Sequence, residues 1–155
     1  MKAARQPVIT RANTGVEHGH AGGAHSFTAL SAEQNPGGVA VQFGTMPEGS
    51  GPPFHRHPSF DEVFIILEGA VEFQANDRLH TLHPGDLIHI PGEVPHAPRC
   101  VSGPARIVML VTPARFERFF HELGDAIAAG GRDAMEALGR EYGIEFVDRP
   151  AIVVG

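Results

Sequence analysis

The chain has a single cysteine, Cys100, in 155 residues, so no internal disulfide and no cysteine-based zinc motif is expected. It is also short of basic residues, with 12 Lys and Arg against 18 Asp and Glu and a net charge of −6. Phosphate contacts need clustered cations, so no nucleic-acid partner is expected. Long apolar runs are absent too: Val63 to Leu67 is among the longest. That is far below the roughly 20 residues of a spanning helix, and no membrane partner is expected. No basic-then-apolar leader with a small-residue cleavage site is seen, which leads us to expect a cytoplasmic protein. What is abundant is histidine, with ten residues. Imidazole is the commonest protein metal ligand and a proton carrier, so the placement of these residues carries the analysis.

The length suits one domain, which at this size buries roughly 70% of the unfolded chain's surface. Residues 1–23 end in His18-Gly19-His20-Ala21-Gly22-Gly23 and read as a flexible arm, or as a strand exchanged with a neighbour. A His-bearing Gly/Ala tract can bind metal, but ordering it costs chain entropy, so an arm without chemistry is expected. Residues 24–112 read as short strands with Gly/Pro punctuation, the pattern of a β-sandwich or barrel. Within it, Glu68-Gly69 is expected to turn a hairpin between Val63–Leu67 and Val71–Gln74. Residues 113–155 change character: Phe116, Phe119, Phe120, Leu123 and Ile127 recur at helical spacing, and Gly130-Gly131 separates a second, shorter helix. This extension is expected to pack on the barrel.

The chemistry concentrates between Gly49 and Cys100. His55 and His57 are two apart, so on a strand both imidazoles leave the same face. Glu62 has the opposite parity, but Pro58-Ser59 interrupts the strand and resets the register. The turn at Pro91-Gly92 lets the chain re-enter the sheet with His96 pointing inward. Three imidazoles and a carboxylate suit one first-row divalent ion: iron, manganese, nickel, cobalt, copper or zinc. Calcium would want more oxygen ligands. If Glu62 faces the interior, Phe64 and Ile66 share its face and are expected to line the pocket, whereas Val63, Ile65 and Leu67 face outward. His80 and His83 are expected to face solvent, His121 to sit on the polar side of the Phe-rich helix, and His89 to lie either beside the cavity or on an outer face.

These residues resemble the cupin superfamily. Its first motif is a glycine, five residues, His-x-His, three or four residues, Glu, six residues and a glycine; Gly49, His55, His57, Glu62 and Gly69 match it throughout. Its second is a glycine, five residues, Pro-x-Gly, two residues, His, three residues and Asn. Gly85, Pro91 and His96 match, but Glu93 stands at the second glycine and Cys100 at the asparagine. Gly51-Pro52-Pro53, Asp61-Glu62-Val63-Phe64 and Phe119-Phe120 make the chain similar to small single-domain cupins of the quercetin 2,3-dioxygenase type. The resemblance implies a mainly β fold, a jelly-roll-type cupin barrel with C-terminal α-helices, and a homodimer. It implies a metal held by His55, His57, Glu62 and His96, with Glu62 also able to serve as a catalytic base. The activity implied is a dioxygenase acting on a small aromatic or enolisable molecule. A non-oxidative isomerase, lyase or polyketide cyclase, or a small-molecule-binding module, fits the same residues.

Overall fold

The computed structural model describes residues 6–12, 14–15 and 17–154. Among the described residues nine strands run in the order β1 (Glu17–Gly19), β2 (His25–Leu30), β3 (Ala40–Met46), β4 (His55–Arg56), β5 (Asp61–Ala75), β6 (Arg78–Leu82), β7 (Leu87–Ile90), β8 (His96–Thr112) and β9 (Glu145–Phe146), with helix α1 (Arg118–Glu141) before the last. The long strands β5 and β8 form an antiparallel ribbon from Asp61 opposite Thr112 to Ala75 opposite His96. The hairpin expected at Glu68-Gly69 is absent: β5 runs on through that dipeptide, and the register slips between Ile66 and Val71 instead. Gly69 holds φ +76°, and a Cβ there would collide with the Ser102 carbonyl. The glycine therefore makes a bulge that bends the strand while the ribbon continues.

That bend gives the ribbon two arms. On one, the pairing order is β1-β2-β3-β8-β5-β7, using Ala105–Thr112 of β8 and Asp61–Ile66 of β5. On the other it is β9-β4-β8-β5-β6, using the opposite halves of the same two strands. Inward residues of both arms meet in one core, where the Phe64 and Phe73 rings lie 5.0 Å apart. Among the described residues β6 and β7 pair only with β5, so the sheet curls into an open barrel. Residues 17–19, inside the stretch read as an arm, form a strand on the chain's own β2.

Helix α1 buries Phe119, Leu123, Met135 and Leu138 in the same core. Each such side chain is worth roughly 1.5–3 kcal/mol when taken out of water. The helix is interrupted at Gly130 and Gly131, which leave helical geometry, with Gly131 at φ +59°. Two helical halves result, as the glycine pair suggested. No helix among the described residues is long and apolar enough to cross a membrane.

Candidate metal centre

Each of the four side chains is placed by a local device. Gly51 passes so close to β8 that a Cβ would collide with the Pro98 carbonyl oxygen. The glycine lets β4 pair with β8 so that His55 stands opposite His96. After β4 the chain turns, with the Phe60 amide donating to the His57 carbonyl. This break restores Glu62 to the face of the histidines, as Pro58-Ser59 implied. The turn before His96 is tied to the start of β5, because the Gly92 amide donates to Asp61 Oδ1 at 2.8 Å. That bond, and then the one from His89, hold the Asp61 carboxyl below its ordinary range. Glu93 within the turn holds φ +76°, a conformation that favours glycine, the residue the motif usually carries there.

All three imidazoles are oriented the same way. Nδ1 of His55 lies 2.8 Å from the Pro53 carbonyl, that of His57 lies 2.8 Å from the Phe60 carbonyl, and that of His96 lies 3.0 Å from the Val94 carbonyl. A carbonyl only accepts, so each Nδ1 is the protonated donor, and Nε2 of the neutral ring is left with its lone pair. The Nε2 atoms of His57 and His96 are 2.9 Å and 3.2 Å from Glu62 Oε2. One ligand atom from each of the four residues lies within 4.8 Å of the others. His57, Glu62 and His96 are closed off from solvent, and His55 is partly covered.

Three lone pairs converging on a carboxylate need positive charge between them. A proton supplies it in part. Burial opposes charging His57, but the Glu62 charge and its hydrogen bond prevail and raise the imidazole above its ordinary value. Burial likewise opposes the Glu62 carboxylate, yet the His57 charge and its hydrogen bond hold it well below the usual range. His55 goes the other way, lowered to about 4 by desolvation and then by His96. A neutral imidazole with a free Nε2 is the form that binds metal, and backbone acceptors at Nδ1 are the usual support of such ligands. The set of three imidazole nitrogens and one carboxylate oxygen can hold a divalent first-row ion with positions to spare.

The model of the cupin domain family matches residues 42–111, a span that includes the whole cluster. Over that span the chain is similar to cupin domains. Over 97 residues it is 31% identical to quercetin 2,3-dioxygenase of Bacillus subtilis, covering 62% of this chain and 29% of that protein. Over 66 residues it is 38% identical to the dimethylsulfoniopropionate lyase DddQ of Ruegeria pomeroyi, covering 42% of this chain and 32% of the lyase. The chain thus spans about a third or less of either curated relative. Among solved structures, KdgF from a Halomonas species superposes with a TM-score of 0.63 at 15% identity, over 70% of this chain and 94% of that one. At that identity the likeness concerns the fold.

The four residues sit in the wall of a cavity of about 130 Å³. Its remaining wall is mostly apolar and comes from both the barrel and α1, including Phe64, Met109, Phe119 and Leu123. Phe64 therefore lines the pocket, as its parity with Glu62 implied. Ile66 does not. It shares the face of Phe64 but is wholly enclosed in the core, two residues farther along β5. His89 is exposed on the outer face beside Asp61, and His80 and His83 are exposed as expected. His121 is not simply solvated: its ring stacks on His18 and bonds Glu117 and Thr28.

His20, Ser26 and Gln42, polar residues of the cavity wall, were not singled out by the sequence. The signal for Gln42 lay in its strand. It shares the inward parity of Ala40, a row where an apolar residue is the rule.

Proposed function

We propose that His55, His57, Glu62 and His96 hold one divalent transition-metal ion, and that the chain is a dioxygenase for a small aromatic or enolisable substrate. The observation that carries this reading is the shared anchoring of the three Nδ1 atoms on backbone carbonyls, which aims the remaining nitrogens at Glu62. Such an ion supplies Lewis acidity toward a deprotonated substrate oxygen and, if redox-active, electrons for dioxygen.

The chain's own groups prepare for that chemistry. Glu62 stays ionised despite its burial, the form that ligates an ion; held low by His57, it gains basicity toward a phenol or enol only when it leaves those contacts. The apolar wall keeps water from the reacting oxygen. Cavity size selects the substrate as well. A dry cavity of roughly 150 Å³ holds one benzene ring, so about 130 Å³ suits a single ring or a short chain. The three-ring flavonol named for the Bacillus relative is larger than this space. Outside the barrel, Leu67, Leu79 and Leu87 are exposed on β5, β6 and β7, apolar surface that supports the expected association with a second copy.

A non-oxidative reading has one observation in its favour. The lyase relative aligns at 38% identity, and a buried carboxylate base beside a Lewis acid suffices for elimination. Elemental analysis of the purified protein, followed by oxygen-electrode assays with single-ring catechols and enolisable ketones, separates the two. Iron, manganese, nickel, cobalt or copper with substrate-dependent oxygen uptake is the expected result. Zinc, with no uptake on any of these compounds, would replace the dioxygenase by the lyase reading.

A further inference from the structure

On its β3 side the cavity wall turns polar. Ser26 and Gln42 face inward from β2 and β3 and are 5% and 0% exposed. Ser26 Oγ donates to Gln42 Oε1 at 3.1 Å, and His20 Nε2 lies 2.7 Å from the same hydroxyl. The hydroxyl has only one proton, and Gln42 takes it, so His20 donates its Nε2–H to Ser26. His20 is neutral near pH 7: burial, then the neighbouring His18 and His25, lower it to about 4.

The order of donation starts at His20 and ends on the Gln42 amide. Its oxygen is occupied, and its Nε2 has no hydrogen-bond partner among the described residues although it is buried. Inverting the amide would move the orphaned atom from nitrogen to oxygen without removing it. A buried polar atom without a partner, in the wall of an open cavity, marks where a ligand atom belongs.

The register places this group at a distance from the metal-ligand cluster. Gln42 pairs with Met109, and Met109 pairs with Phe64, whose side chain lies on the Glu62 face of β5. Two strand spacings, roughly 10 Å, therefore separate the β3 and β5 backbones here. No Lys or Arg lines the cavity among the described residues, so nothing at this pole would neutralise an anion.

We propose that Gln42 is a substrate-binding residue whose amide, held by Ser26 and His20, donates to an uncharged oxygen at the far end of a ring-sized substrate. The near end, a phenol or enol oxygen, goes to the His/Glu cluster, so for that end alone the proposal rests on the metal-centre reading. The substrate class is a small neutral molecule with a carbonyl or ether oxygen across the ring from its acidic oxygen. A carboxylate in that place would lose its water shell and find no cation.

Calorimetric titration of the purified protein with para-acetylphenol, para-ethylphenol and para-hydroxybenzoate tests this, with metal content measured on the same samples. The acetyl compound should bind roughly 10-fold more tightly than the ethyl compound, the range of one added hydrogen bond. The benzoate should bind more weakly than the acetyl compound. Gln42→Met should erase the acetyl preference while metal content is unchanged, and Ser26→Ala should reduce it. Equal binding of the acetyl and ethyl compounds, no binding of either, tighter binding of the benzoate, or a preference that survives in Gln42→Met would overturn the proposal. The wild-type series decides even if Gln42→Met fails to fold. A protein that lacks metal but keeps the acetyl preference would remove the metal-centre reading and leave the role of Gln42 standing.

Discussion

Two of the histidine-carboxylate groups among the described residues are built to opposite ends. In the first, His55, His57 and His96 each give Nδ1–H to a backbone carbonyl and turn Nε2 toward Glu62. In the second, His121 Nε2 bonds Glu117 at 2.8 Å and Thr28 at 3.0 Å, and its ring stacks on His18 at 4.2 Å. Glu117, also buried, further accepts the Ala32 amide. Among the described residues none of His18, His20 and His121 has Nδ1 on a backbone carbonyl. Their contacts tie β1 and β2 to the start of α1 and leave no converging lone pairs. The difference teaches that a metal-type site is recognised by how the far nitrogen of each ring is held, because that bond decides which nitrogen faces inward. A count of neighbouring His and Glu would have scored the two groups alike.

The comparison is broken most directly by exchanging alanines between the groups. His55→Ala or His96→Ala should lose nearly all bound metal, measured by elemental analysis after dialysis. His121→Ala should keep a full load and instead lose stability by roughly 1–3 kcal/mol, since Glu117 stays buried with one fewer donor. Urea unfolding reads that second number. Full metal in His96→Ala, or loss of metal in His121→Ala, would reverse the roles assigned to the two groups.

The first group was legible in the sequence because its spacing is local. The His-x-His pair shares a strand face, Pro58-Ser59 corrects the parity of Glu62, and one turn delivers His96. The strand pattern likewise showed a β fold followed by helices, and the glycine pair at 130 and 131 showed the break in α1. What stayed hidden depends on distant partners. Glu68-Gly69 looks like a hairpin in isolation; the pairing of Glu68 with Arg106 and of Ala70 with Ser102 is what keeps β5 running through it. His20 looked like part of a loose arm, because its partner Ser26 is reached only once β1 folds back on β2. Ile66 has the right parity for the pocket, but parity does not say where along a strand a cavity ends.

A pH titration sharpens the comparison at a smaller scale, because His20 and His55 stand on different sides of it and share one trait. Both are lowered to about 4, so between pH 6.5 and 4 the unfolded chain binds protons that the folded chain refuses. Stability contributed by these residues is present above 6.5 and falls as the pH falls through that window. His57 acts in the opposite sense: raised above 6.5, it adds stability at lower pH that is lost as the pH rises through its folded value. Glu62, held low, contributes stability above the ordinary carboxylate range and loses it as the pH falls through its folded value. His18 is lowered too, by burial and then by His121, so three lowered imidazoles stand against one raised one, and the metal-free protein should melt at a lower temperature at pH 4.5 than at pH 6.5. His20→Phe should flatten that decline while leaving the metal content of the loaded protein unchanged. A slope unaffected by His20→Phe would show that the decline arises in the metal-type group alone.

The smallest expected effect lies in the backbone that serves the first group. Glu93 holds φ +76° in the turn leading to His96, at a cost of about 1–2 kcal/mol for a residue with a Cβ. Its side chain returns little, since its contact with Arg56 is 3.8 Å long and exposed, and such pairs are worth about 0–1 kcal/mol. Arg56 would keep its shorter bond, 2.6 Å to Glu145. Glycine at this position also gives the unfolded chain more freedom, which offsets part of the relief. Glu93→Gly should therefore stabilise the protein by less than about 1 kcal/mol, seen as a higher urea midpoint at an unchanged slope. Metal affinity should not move, because the Gly92 amide and Asp61 already fix the turn. A lower midpoint would mean that Arg56, poised between Glu93 and Glu145, needs both carboxylates to hold β4 and β9 together beside His55.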